Sequence, residues 1–266
     1  MKQLVEAVLV LCFVFISTVS LAGQFGAPEP VAKFERLSLG IGSFYGQREW
    51  EPQDGNGARD LKFKSWQHYL QLSKAALMEG NQIETYIRIG GADLKVEDVF
   101  LTGQSSNDPN IQGFKSDFDA DYQLFGTLGV KGTIYVSQNL AVGPFVQASI
   151  AEDYEDYTSG TVNGVQFTQK RKFKMPWDVN LGVMLQYSYK GFLAYAGPFL
   201  YWGRTDVEWT EPAPGTSVSG ETTFEMKNVF GGVAGLRIPV VAGLNVEVEG
   251  QFTNEVSGGM NISYAF

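Results

Sequence analysis

Cysteine is almost missing: the single one, Cys12, lies in the apolar stretch that opens the chain. Once that stretch is set aside, a disulfide, a thiolate metal site and a cysteine nucleophile are all excluded. Histidine is as scarce. His68 stands alone, which leaves little for imidazole acid–base chemistry. Positive charge is short too, with 20 Lys and Arg against 29 Asp and Glu, a net of −9. An acidic surface of that kind argues against nucleic acid as a partner. Past residue 22, no apolar run approaches the ~20 residues of a membrane-spanning helix.

What is there points elsewhere. Lys2 gives a positive start, Val8 to Leu21 is nearly unbroken apolar sequence, and Ser20-Leu21-Ala22 offers small residues for cleavage. This is the pattern of a secretory signal peptide, removed after Ala22. No cysteine follows to carry a lipid anchor. The expected organisation is a signal peptide over 1–22, a short N-terminal periplasmic segment over 23–32, and one barrel domain over 33–266. Glycine (31 residues), Phe (19), Tyr (12) and Trp (5) are abundant, as suits closely packed strands.

A period of two runs from end to end. In 177–189, Trp177, Val179, Leu181, Val183, Leu185 and Tyr187 alternate with Asp178, Asn180, Gly182, Met184, Gln186 and Ser188. In 244–252, Leu244, Val246, Val248 and Phe252 alternate with Asn245, Glu247, Glu249 and Gln251. Such segments have one apolar and one polar face. About ten are predicted, at 33–46, 67–79, 82–97, 118–137, 140–153, 172–189, 192–209, 224–238, 243–253 and 257–266; eight and twelve are the alternatives. Short connections (Gly80-Asn81, 137–139, Lys190-Gly191, 239–243) alternate with long polar ones (47–66, 98–117, 154–171, 210–223). That asymmetry is what periplasmic turns and extracellular loops produce. A Gly-Pro-Phe hairpin motif recurs at 143–145 and 197–199. Its prolines cannot donate to a ladder, so a bulge is expected at each, with a lateral gap in the wall as the alternative.

The chain ends on Met260, Ile262, Tyr264 and Phe266 at every second position. This ending resembles the C-terminal targeting strand of Gram-negative outer-membrane β-barrels. Taken with the signal peptide, alternation and loop asymmetry, the whole mature chain resembles the small outer-membrane β-barrel superfamily of OmpA-type, OmpX-type, OmpW-type and opacity-type proteins. The resemblance implies an all-β, antiparallel, up-and-down transmembrane barrel in the cell outer membrane. It also implies contact with lipid and lipopolysaccharide, and with the assembly machinery through the C-terminal strand. It does not imply one activity.

Candidate chemistry is thin. Enzymatic barrels use an Asp pair with an Asp–His pair, or a His beside a Ser; neither pattern surrounds His68, so no catalytic residue is assigned. Asp117, Asp119 and Asp121 alternate, and with Glu152 and Asp153 they make an acidic rim. Either it coordinates Ca²⁺, or it is a solvated edge pairing with Lys170, Arg171, Lys172 and Lys174. The second reading is preferred, so no metal or cofactor is expected. Parity assigns Arg36, Glu84, Arg88, Lys131, Asp178, Glu247 and Glu249 to the lumen. Buried charge must be paired or hydrated. The expectation is an ion-paired interior that largely blocks flow, against a thin water-filled pore lined by the same residues. Tyr135, Tyr187, Tyr189, Tyr264 and Phe266 are expected in a periplasmic aromatic girdle, and Trp177, Trp202 and Trp209 in an outer one. The expected role is non-enzymatic: structural or surface-interacting, with a ligand at loops 47–66 and 154–171. A porin-like or OmpW-like transporter of small polar or apolar solutes is the alternative, and a hydrolase comes third.

Overall fold

The alternating segments form strands because each has a face for lipid and a face for the interior. The computed structural model describes residues 23–31, 36–53, 60–97, 111–115, 117–162, 165–213, 216–227 and 229–266. In chain order the strands are β1 (Leu37–Pro52), β2 (Leu61–Met78), β3 (Asn81–Glu97), β4 (Ile111–Lys115), β5 (Phe118–Tyr135), β6 (Leu140–Ala151) and β7 (Tyr154–Val162). Then follow β8 (Val165–Tyr189), β9 (Phe192–Ala213), β10 (Thr216–Met226), β11 (Phe230–Val241), β12 (Leu244–Phe252) and β13 (Val256–Ala265). Antiparallel ladders run β1–β2–β3–β5–β6–β8–β9–β11–β12–β13 and back to β1, a closed ring of ten. Closure leaves no free edge in the ring.

The outer wall is apolar in a band and charged above it. On β2 the outward residues between Lys64 and Lys74 are Trp66, His68, Leu70 and Leu72. Ten residues rising ~3.3 Å each span about 33 Å along the strand, or about 25 Å of height at a tilt of ~40°. That matches the hydrocarbon core. Leu39, Ile41, Ile87, Ile89, Leu128, Leu181, Leu185, Leu236 and Ile262 are all exposed on the same wall. In water such a surface would aggregate; in lipid it is solvated. The ring is a transmembrane β-barrel.

Turns at one end are tight. Glu79 and Gly80 (φ 50° and 84°), then Lys190 and Gly191 (φ 50° and 87°), take the left-handed pairs of type I′ hairpins. The opposite end is a second tier built from the long connections, which are not plain loops. β7 pairs with β8, β4 pairs with β7, and β10 bridges β9 to the top of β1. Most of 47–66 and 154–171 is therefore strand. Inside this tier Trp50, Leu61, Phe63, Leu94, Val96, Phe118, Phe173, Val207 and Phe224 pack at 1% exposure or less. Trp50 stacks on Phe63 at 4.7 Å, and Phe173 meets Phe63 at 5.2 Å and Phe118 at 4.5 Å. An apolar core thus packs inside the outer end of the barrel.

Two sequence expectations about the wall are corrected. Trp209 is not in the outer girdle; it points inward against this core. The prolines make no bulge, since the register runs unshifted from Lys131↔Phe145 to Ile134↔Val142 and from Gly182↔Phe199 to Leu185↔Ala196. Each proline costs the ladder rungs and nothing else, because a missing N–H removes a bond without adding a residue. The real irregularities in the ring lie at 92–94, 174–177 and 239–241.

Candidate functional site

Residues 23–31 do not lie in the periplasm, as the sequence suggests; they run up the inside of the ring. Phe25 and Ala27 are fully buried. The segment follows the inward face of β12, with Ala27 at Glu247, Phe25 at Glu249 and Gly23 at Gln251. Glu249 accepts the amides of Phe25 and Gly26, each at 2.8 Å, together with the Tyr195 hydroxyl at 2.9 Å. Glu247 accepts the Ala27 amide and pairs with Arg237 at 3.3 Å. Carboxylates with this many donors are satisfied in the interior, where a bare charge would be costly.

The carbonyls of the segment meet the cations. Arg88 donates to Gln24, Lys131 to Ala27 at 3.0 Å, and Arg237 to Glu29. Thr133 donates to Pro28 at 2.7 Å, while Gln147 and Gln251 donate to Gly23 at 3.4 and 3.2 Å. The lumen thus presents acceptors to N–H groups of the segment and donors to its C=O groups. Backbone groups from Gly23 to Glu29 are read this way.

Side chains of the segment are used sparingly. The Phe25 ring packs on Phe145 at 4.4 Å and Phe199 at 4.9 Å, the two phenylalanines of the Gly-Pro-Phe repeat. Both lie opposite Gly182 on β8. A Cβ on Gly182 would come 2.6 Å from the Phe145 ring, so only glycine leaves room for the aromatic row. Gly143 does the same for Pro28, whose ring a Cβ would strike. At the lower mouth Gln186 bonds the Glu29 amide at 2.9 Å and its carboxylate at 3.0 Å.

The predicted lumen residues divide. Glu84, Arg88, Lys131, Asp178, Glu247 and Glu249 face inward and are nearly fully buried. Lys131 meets Glu84 at 3.5 Å, and Asp178 accepts from Asn180 at 2.5 Å. Arg88 instead donates to Gln71 at 2.7 Å and Gln147 at 3.1 Å, and sits over the Tyr69 and Tyr86 rings. Arg36 is corrected: it is exposed and lines the periplasmic mouth, a cavity of about 900 Å³, with Glu29, Asn245 and Arg237. Besides Arg171, which was expected in the acidic edge, two inward arginines escaped the sequence reading. Arg48 lies over Tyr201 at 4.6 Å and bonds Thr253 at 2.8 Å, and Arg237 is described above. Carrying the strand parity past residue 46 would have found Arg48.

The acidic rim does not share one lumen-facing line. Two residues of β5 stand against Asp93 on β3, so the parity flips between Ala120 and Gln123. Asp119 and Asp121 face outward, and Asp119 pairs with Lys95 at 3.1 Å. Glu152 is exposed, and Asp153 pairs with Lys172 at 2.7 Å. Lys170 meets Glu155 at 2.6 Å. Hydrogen bonds from Lys172 and Lys170 hold the Asp153 and Glu155 carboxyls below their usual range. Arg171 turns inward to Gln169, and Lys174 pairs with Glu208 and Glu221. Met260, Ile262, Tyr264 and Phe266 all lie on the outward side of the last strand.

No protein-family model matches the chain, and no curated protein matches it. Among solved structures it is similar to the outer membrane protease OmpT from Escherichia coli (12% identity, 93% of this chain and 100% of that one, TM-score 0.49). It is also similar to the translocator domain of the autotransporter NalP from Neisseria meningitidis (11% identity, 88% and 90%, TM-score 0.44). A third likeness is to the Ralstonia pickettii toluene transporter TbuX (9% identity, 88% and 89%, TM-score 0.42). The barrel assignment rests on the closed ladder and the apolar belt, and no activity is carried across from these likenesses.

Proposed function

We propose that the chain is a non-enzymatic integral outer-membrane barrel, closed to free diffusion, that serves as a membrane-anchored surface scaffold. The observation that carries this reading is the doubly filled interior. Residues 23–31 occupy the middle of the lumen, and the aromatic core from Trp50 to Phe224 fills the outer tier. The ion-paired and hydrogen-bonded interior supports blocked flow over a water-filled pore.

The raised tier of β7 to β10 supports a surface role, since its outward faces carry the Lys170–Glu155, Lys172–Asp153 and Lys174–Glu208 pairs. An extracellular ligand would meet the tops of β1–β2 and β7–β8. Lipid and lipopolysaccharide would surround the belt, and the C-terminal strand would engage the assembly machinery. A non-enzymatic reading is supported by His68, which points outward, stacked between Trp66 and Tyr122 with its Nε2 3.2 Å from the Tyr122 hydroxyl. The test is single-channel recording of the refolded protein in a planar bilayer, with heat-shifted gel mobility proving that it is folded. Silence is expected. Stable ion-selective steps would sink the closed-barrel reading and put transport in its place.

A further inference from the structure

We propose that the middle lumen is a binding site for an extended peptide, open only toward the periplasmic end, and that residues 23–31 are its tethered occupant. This rests on the closed-barrel reading for its one-sided access. Segments that belong to the wall are held by ladders. Among the described residues, by contrast, the hydrogen bonds of 23–31 run to side chains of the ring and to no strand backbone. That is how a ligand is held, not a strand.

The chemistry of the occupant follows from what the lumen reads. Glu247 and Glu249 take backbone N–H groups, and Arg88, Lys131, Thr133 and Arg237 take backbone C=O groups. Any extended peptide offers these. Selectivity comes from the slot between Phe145 and Phe199, which wants an aromatic at the third position of the segment, and from Gly143, which leaves space for a proline ring. The outer core blocks exit upward. The mouth beside Arg36 and Asn245 is the way in and out.

The experiment uses the full chain carrying Phe25→Ala, which loosens the tethered segment, and a fluorophore-tagged free peptide of residues 23–31, GQFGAPEPV. Saturable binding is expected. The same peptide with alanine at its phenylalanine should bind ~10²-fold or more weakly, as the loss of a buried Phe implies. The chain without the substitution should bind the free peptide far less, because a tether holds its own segment at an effective concentration in the millimolar range. A folded F25A barrel that binds neither peptide, or both alike, overturns the proposal. Should that variant fail to fold, the chain with the single change Ala27→Cys is used. Its thiol must react with maleimide faster as free peptide is raised to millimolar levels; a rate indifferent to peptide is the overturning result. Conductance read on the same samples separates the two readings. Ion flow alongside peptide binding refutes the sealed outer end and leaves the peptide site standing, whereas silence without binding refutes the peptide site alone.

Discussion

Replacing Phe25 by alanine should unseat the N-terminal segment while leaving the barrel standing. The ring is fully buried between Phe145 and Phe199, at 4.4 and 4.9 Å. Removing a buried phenylalanine costs about 3–5 kcal/mol, and the aromatic contacts are part of that figure. The ten-strand ladder does not pass through residue 25, so the cost falls on seating and not on closure. At ~1.4 kcal/mol per tenfold, the unseated population should rise by roughly two to three and a half orders of magnitude. Because the only cysteine, Cys12, lies within the expected signal peptide, a reporter thiol introduced by Ala27→Cys is unambiguous in protein that begins at residue 23. Ala27 is fully buried when seated, so maleimide reacts only through the open form, and the rate follows its population. Adding Phe25→Ala should accelerate labelling by about 10²-fold or more by the same cavity argument. Gln24→Ala loses a 3.3 Å bond from the Tyr69 hydroxyl, an effect of about 1 kcal/mol, and should accelerate it less than tenfold. Equal rates for the Phe25 variant and its parent, with both barrels shown folded by heat-shifted mobility, would refute the reasoning.

Two further outcomes test the wall and the upper tier. Leu128→Arg places a charge at mid-height on an outward position that is 64% exposed, and urea unfolding in vesicles should show a loss of about 2–4 kcal/mol; no loss would mean that this face does not meet lipid. Lys172→Met removes the partner that depresses the Asp153 carboxyl. A depressed carboxyl stabilises above the ordinary carboxylate range, and that stabilisation is lost as pH falls through its lowered value. The difference in heat-shift temperature between the two proteins should therefore be small at neutral pH, as an exposed pair requires, and should close in acid. A gap that is the same at all pH values would contradict the pairing.

Strand placement was legible because period two is local: 177–189 reads the same in sequence and in β8. The tight turns were legible for the same reason, although Glu79 with Gly80, not Gly80 with Asn81, takes the left-handed pair. Of the three extra strands, β4 and β7 lie in stretches read as loops and β10 mostly does, its last three residues falling in the predicted strand 224–238; there Gly, Ser and Thr dilute the alternation and the pairing partner supplies the order. Local parity also fails at a bulge. Asp119 and Lys131 have the same parity along the chain yet face opposite ways, because β5 gains a residue against Asp93. Least visible was the segment 23–31. It has no periodicity, two prolines and two glycines, and nearly everything that holds it there acts on its backbone, which every sequence shares. Glu247, Glu249, Arg88 and Lys131, which grip it, were found by parity; Arg237 and the segment itself were not.

Phe25 and its acceptor Glu249 are 224 residues apart, so the segment cannot meet this partner until nearly the whole chain has been made. Seating therefore needs β12 in place, since Glu247 and Glu249 take the amides of Phe25, Gly26 and Ala27. The Glu29 end of the segment lies at the mouth and its Gly23 end deeper in the lumen, at Gln251, and no rung of the ring passes through it, so vacating the lumen breaks none. Interior and wall are thus held by separate sets of bonds, and one barrel population can hold filled and vacated members that share the same ring.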